Sequence, residues 1–164
     1  MFYYVDGTVT VLKQGLAVID CGGVGYACHA SQNTIGKLKI GTRARLLTYL
    51  NVREDIFELY GFIDEEEQSC FEMMIGVSGV GPKAALSILS VAPPDRLALS
   101  IITGDEKMLM QAPGIGKKIA QRIVLELRDK MSKEQLETAS ASFPVAAAAG
   151  SGGVHHTQGG VAAL

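Results

Sequence analysis

A short pattern occurs twice in this chain, 35 residues apart: Gly79-Val80-Gly81-Pro82-Lys83 and Gly114-Ile115-Gly116-Lys117-Lys118. The match extends beyond the glycines. Met74 aligns with Leu109, Ala85 with Ala120, Ile88 with Ile123 and Leu89 with Val124. Each copy follows one apolar stretch of helical period and opens another, so the chain carries a duplicated helix–turn–helix unit. A Gly-x-Gly turn permits positive φ and lets an outside group approach bare backbone. It feeds a helix N-terminus, where unpaired N–H groups and the dipole attract anions. Two such units side by side suit a run of phosphates. The candidate contacts are Gly79, Val80, Gly81 and Lys83 in the first copy. In the second they are Gly114, Ile115, Gly116, Lys117, Lys118 and Arg122.

Other phosphate-binding motifs fit less well. A P-loop requires G-x-x-x-x-G-K-[ST] after a strand. Gly76 and Gly81 have that glycine spacing, but Pro82 stands in place of the lysine. In the second copy Gln111 replaces the first glycine, and Lys118 occupies the position of the Mg²⁺-binding hydroxyl. A dinucleotide-binding G-x-G-x-x-G fails at Ala84 and Ile119, and the preceding stretch reads as helix. The plain alternative is a pair of glycine-rich turns without a ligand, which the matching lysines in both copies argue against.

At 164 residues with 48% apolar content, the chain has room for one or two small domains with real cores. No apolar run approaches the ~18 residues of a membrane span, and the first residues show no basic-then-apolar leader pattern. The three cysteines, Cys21, Cys28 and Cys70, form no C-x-x-C pair. Reduced thiols in a cytoplasmic protein are expected. His29 adjoins Cys28, but no further ligands have zinc spacing, and His155-His156 lie in a glycine-rich stretch, so no metal is expected. The overall charge of −2 is unevenly spread. Residues 114–130 carry five basic and two acidic side chains, whereas residues 64–67 are Asp-Glu-Glu-Glu. Such a surface can attract phosphates on one face and repel them on another.

The periodicity changes along the chain. Segments 2–12, 16–21, 24–30, 43–52 and 56–62 are rich in Val, Ile, Tyr, Phe and Thr. They are separated by Gly15, Gly22-Gly23 and the stretch 33–41. Five short strands in residues 1–63 suit a small, partly open barrel of the OB type. Residues 64–131 read as α. Asp64 suits an N-cap before Glu65 to Glu67, which are expected to face solvent. Cys70, Phe71, Met74 and Ile75 then share one apolar face. Pro82 suits the first turn of the next helix, and Pro93-Pro94 breaks it. A further helix stops at Gly104, Asp105 caps a short one through Met110, and the last carries Ile119, Ala120, Ile123, Val124 and Leu127 on one stripe. Residues 132–160, with Pro144, Ala146 to Ala149 and Gly150-Ser151-Gly152-Gly153, have linker composition. Residues 161–164 could begin another helix. The fold class is thus β then α: an N-terminal OB-fold barrel followed by an all-α tandem helix-hairpin-helix domain.

This arrangement resembles the RuvA family, the junction-binding subunits of the bacterial Holliday junction branch-migration complex. The resemblance rests on Gly22-Gly23-Val24-Gly25-Tyr26, on Val52-Arg53-Glu54-Asp55 followed by Leu59-Tyr60-Gly61-Phe62, and on the two glycine turns with Pro113 before the second. It covers residues 1–131 almost without gaps. It implies a homotetramer, single or paired, in which four barrels meet at the centre and eight hairpins grip four duplex arms. Glu54 and Asp55 would then form an acidic pin near the crossover. A RuvB motor ATPase and a RuvC resolvase are the implied partners. The family continues past its linker into a third, motor-binding domain. The expectation here is that this domain is missing after Leu164, which puts coupling to the motor in doubt.

The leading expectation is therefore a cytoplasmic, non-catalytic, cofactor-free protein that binds four-way DNA junctions by structure, in recombination and repair. Hairpin N–H groups and lysines contact phosphates, which carry no base sequence. A glycosylase would need a base-flipping pocket beside a catalytic Asp or Lys, for which Asp129 and Lys130 are the available residues. A metal nuclease would need clustered carboxylates, for which the sequence offers Glu65 to Glu67. A protein-binding adaptor built on the duplicated helices is the third alternative.

Overall fold

A computed structural model describes residues 1–141. Five strands come first: β1 (Tyr4–Lys13), β2 (Leu16–Cys21), β3 (Val24–His29), β4 (Arg43–Val52) and β5 (Phe57–Phe62). Gly15 closes the first hairpin and Gly22-Gly23, both at positive φ, the second. The strands form a closed barrel in the order β1-β2-β3-β5-β4, whereas the strand count suggested a partly open one. Closure depends on a short parallel ladder, Cys28 with Leu59 and His29 with Tyr60. The remaining neighbours are antiparallel. Val5, Val9, Ala17, Ile19, Cys28, Leu46 and Leu59 fill the interior. They come from alternate positions of strands that bury one face.

The stretch between β3 and β4, read from sequence as a connection, contains a helix, α1 (Gln32–Lys37). Ser31 caps it by accepting from the Thr34 N–H. The short helix packs against the α region: the Gln32 N–H donates to Ser90 Oγ at 3.0 Å, and Asn33 Nδ2 donates to the Leu89 carbonyl.

The helices that follow are α2 (Glu65–Ile75), α3 (Pro82–Val91), α4 (Pro94–Thr103), α5 (Glu106–Met110) and α6 (Lys117–Ala141). Asp64 caps α2 by accepting from the Glu67 N–H, and Asp105 caps α5 by accepting from the Met108 N–H. Gly104 ends α4 in the left-handed conformation at φ 74°. The last helix extends further than expected. Residues 132–141, assigned to a linker by their polarity, continue α6, because nothing among them breaks helical hydrogen bonding. The expected linker over 142–160 and the possible helix start at 161–164 lie outside the described residues. No single helix among the described residues is long and apolar enough to cross a membrane.

Barrel and helices share an apolar contact. Tyr60 and Phe62 of β5 belong to the helical core. The Phe71 ring lies 4.8 Å from that of Phe62, 5.5 Å from Tyr60 and 5.3 Å from Tyr49. Beside this contact lies a departure from expectation: Glu67 does not face solvent. It is 2% exposed. Its carboxylate accepts from Ser31 Oγ at 2.9 Å, from Thr34 Oγ1 and, at 3.4 Å, from the Ile63 N–H. A buried carboxylate persists where hydrogen bonds replace its hydration. Here those bonds join α1 to the start of α2.

Candidate nucleic-acid interface

The two glycine turns are near copies in structure. The φ is 90° at Gly79 and 84° at Gly114. The Val80 N–H donates to the Val77 carbonyl at 3.0 Å, and the Ile115 N–H to the Ala112 carbonyl at 3.1 Å. Val80 and Ile115 are 5% and 6% exposed. The residue between the glycines is therefore a plug into the core, with its own N–H already used. Neither the Val80 nor the Ile115 side chain is placed to meet a phosphate, so any contribution from these two candidates is through backbone geometry.

The second glycine of each turn behaves differently. Gly81 has an ordinary φ of −93° and precedes α3 without a side-chain cap. Gly116, which precedes α6, is also outside the positive-φ set. A Cβ built on either glycine meets nothing within 4 Å. Nothing in the backbone or the packing requires glycine at these two sites. What the missing side chains leave is bare backbone at the mouth of a helix whose first N–H groups lack intrahelical partners. Lys83 and Lys118 occupy equivalent positions just beyond. With Lys117 they are exposed and carry no ion pair among the described residues. Such a turn presents hydrogen-bond donors and positive charge together, which is what a phosphate oxygen takes.

The turns are tied to each other. Ser87 Oγ donates to the Pro113 carbonyl at 3.0 Å. Arg122 Nη1 donates to the Ser78 carbonyl at 3.0 Å. The repeat offset of 35 maps Ser78 onto Pro113 and Ser87 onto Arg122. Each copy thus holds the carbonyl just before the other's Gly-x-Gly turn. This geometry gives Arg122, expected only as a phosphate contact, a second role as a cross-tie. Sequence reasoning missed Ser87, although the offset that aligned the glycines also aligns Ser87 with Arg122.

Glu54 and Asp55 lie apart from the hairpins, at the tip of the β4–β5 turn. Arg53 and Ile56 close that turn, with N–H to carbonyl distances of 2.8 and 3.4 Å. Arg53, Glu54 and Asp55 are all exposed. The two acidic side chains are thus projected away from the barrel with no ion pair among the described residues. Asp129 and Lys130, the residues a glycosylase reading would use, sit exposed on α6.

Residues 1–61 match the family model described as the RuvA N terminal domain, and residues 71–129 match the SAM-like helix-hairpin-helix tandem. Three proteins named "Holliday junction branch migration complex subunit RuvA" align over most of this chain. That of Acetivibrio thermocellus is 50% identical over 137 residues, covering 83% of this chain and 68% of the relative. The Streptomyces coelicolor protein is 47% identical over 133 residues, or 81% of this chain and 66% of the relative. The Thermobifida fusca protein is 44% identical over 149 residues, or 91% of this chain and 74% of the relative. The chain belongs to the RuvA family. The boundary between the two matched segments of this RuvA-family chain falls on the end of β5 and the capped start of α2. There Phe62 and Phe71 pack the barrel onto the helices.

Proposed function

We propose that this protein binds four-way DNA junctions by their shape and holds them for branch migration driven by a partner ATPase, without catalysing a reaction itself. The observation that carries the reading is the pair of glycines, Gly81 and Gly116, that neither conformation nor packing requires. They stand beside Lys83, Lys117 and Lys118 at two helix starts joined by reciprocal cross-ties. Two rigidly spaced phosphate sites fit two phosphates of one duplex and read no bases. The family's printed name supplies the junction as substrate and a complex as the setting.

The finer parts of the proposal follow from these. The phosphate-binding residues are Gly79, Gly81, Lys83, Gly114, Gly116, Lys117, Lys118 and Arg122, with Val80 and Ile115 shaping the turns. Glu54 and Asp55 form the acidic pin at the junction centre. Four copies assemble with fourfold symmetry to match four arms. The motor ATPase RuvB and the resolvase RuvC are partners, no cofactor is bound, and the protein works in the cytoplasm.

A titration of a fixed-sequence four-way junction and a linear duplex of equal length, with a nicking assay on both, tests the reading. Tighter binding to the junction, uncut, is expected. Equal affinity for both would overturn junction selectivity, and strand cleavage would favour an enzyme. Light scattering should show a tetramer with the junction; a monomer throughout would remove the fourfold assembly.

A further inference from the structure

Between the β4–β5 hairpin and the first glycine turn lies an open groove of about 250 Å³. Its walls include Asn51 and Arg53 from the barrel and Gly81 and Lys83 from the start of α3. Asn51 is 8% exposed. Its side-chain amide has no hydrogen-bond partner among the described residues. Buried amides are ordinarily paired, so an unpaired one facing a groove points to a ligand that supplies the partner.

The surroundings identify the chemistry of that ligand. Asn51, Arg53, Leu47 and Tyr49 alternate along and beyond β4, so they share the face turned toward the helices; Leu47 and Tyr49 pack against the helical core. Arg53 is exposed and makes no ion pair among the described residues. Opposite it stand Lys83 and the uncapped start of α3. Glu58 also lines the groove, and its carboxylate is engaged by the Tyr60 hydroxyl at 3.0 Å and lies 3.9 Å from His29 Nε2. Two cations, an amide donor and a helix start facing one space suit a phosphodiester.

We infer that the groove between Asn51-Arg53 and Gly81-Lys83 is a phosphate subsite for the DNA strand that runs from the first hairpin to the acidic turn. The second hairpin has no barrel residues beside it in any comparable groove among the described residues. The two hairpins are therefore inequivalent: the first faces the crossover and the second grips the arm. The inference rests on the junction-binding reading and adds the barrel's own contribution to strand path.

Asn51→Asp and Arg53→Gln test it, with Lys118→Ala in the second hairpin as the reference. Dissociation constants for a four-way junction and a linear duplex are measured across salt concentrations, with thermal unfolding as the check on folding. Asn51→Asp places a negative charge against the phosphate. It should weaken junction binding at least about tenfold at low salt and duplex binding much less. Arg53→Gln should lower the salt slope for the junction by about one unit per protomer engaged. If Asn51→Asp unfolds the protein, Arg53→Gln, an exposed change, decides alone. If both variants bind the junction like the parent while Lys118→Ala binds weakly, the groove is not a subsite and the junction-binding reading stands. If Lys118→Ala also binds like the parent, the junction-binding reading itself fails. Equal weakening on junction and duplex would overturn the assignment to the crossover strand.

Discussion

Single positions separate residues that serve the fold from those that serve a ligand. Gly79→Ala forces a side chain into φ 90° and places its Cβ 2.9 Å from Ile119 Cδ1. A left-handed backbone alone costs an L-residue about 1–2 kcal/mol, so a lower denaturant midpoint is expected. Gly81→Ser and Gly116→Ser behave oppositely. Serine is at least as good as glycine at a helix N-cap, to within a few tenths of a kcal/mol, so stability should hold or rise. DNA affinity should nonetheless fall about tenfold, the worth of one charge-assisted hydrogen bond. Unchanged affinity in both variants would mean that the bare backbone meets no phosphate. The cysteines give a second prediction. Burial raises the thiols of Cys28 and Cys70 to about 12, from an ordinary 9.0. A raised folded-state value means the neutral thiol is favoured in the native state. Stability from this source is full below pH 9 and is lost as pH climbs toward about 12. At pH 8 a thiol reagent should therefore label the part-exposed Cys21 first; equal rates at all three would contradict the burial.

At the scale of elements, two long-range contacts set how helices sit on one another. The Glu67 carboxylate holds Ser31 and Thr34 across more than thirty residues of chain. Glu67→Ala strands two hydroxyls and an N–H in the interior. Leaving a buried group unpaired costs about 1–3 kcal/mol, so a loss of at least 2 kcal/mol is expected by urea unfolding. Loss below 0.5 kcal/mol would mean that water replaces the carboxylate. The cross-ties make a prediction about coupling. Ser87 lies on α3 but holds the turn before α6. Ser87→Ala should weaken DNA binding a fewfold, and Ser87→Thr, which keeps the hydroxyl, should restore it. The loss should be non-additive with Lys118→Ala and additive with Lys83→Ala. Additivity with both lysines would remove the cross-tie as a positioning device. Part of the element layout was legible locally. Asp64, Pro82, Pro93-Pro94, Gly104 and Asp105 mark helix ends by capping chemistry that spans three or four residues. The helix α1 carried only a Ser31–Thr34 cap as its signal, with too few residues to show a period.

At the scale of the whole molecule, charge is arranged by region. The hairpins are basic, while the β4–β5 turn is acidic and exposed. Replacing Glu54 by Gln and Asp55 by Asn together should alter stability by no more than about 0.5 kcal/mol, as surface changes do. Repulsion between two unit charges near 4 Å in water is about 1 kcal/mol. Its removal should raise affinity for linear duplex more than for the junction, and the difference should shrink as salt screens it. An unchanged junction-to-duplex ratio at low salt would make the turn an ordinary solvated loop.

Sequence alone determined the β-then-α order, the duplicated unit and the candidate lysines and glycines. Those features are written in short-range patterns: strand and helix period, capping residues and a repeat that aligns with itself. Tertiary structure decided what lay beyond that range. It buried Glu67 despite its acidic neighbours, because Ser31 and Thr34 arrive from a distant segment to replace water. It closed the barrel through the two residue pairs of β3 and β5. It turned Val80 and Ile115 inward and left Gly81 and Gly116 bare, a distinction invisible in the matching letters of the two turns. It also brought Asn51 and Arg53 of the barrel to the first hairpin alone, making two copies of one motif unequal. Burial and pairing depend on which segments meet, and no local pattern records that.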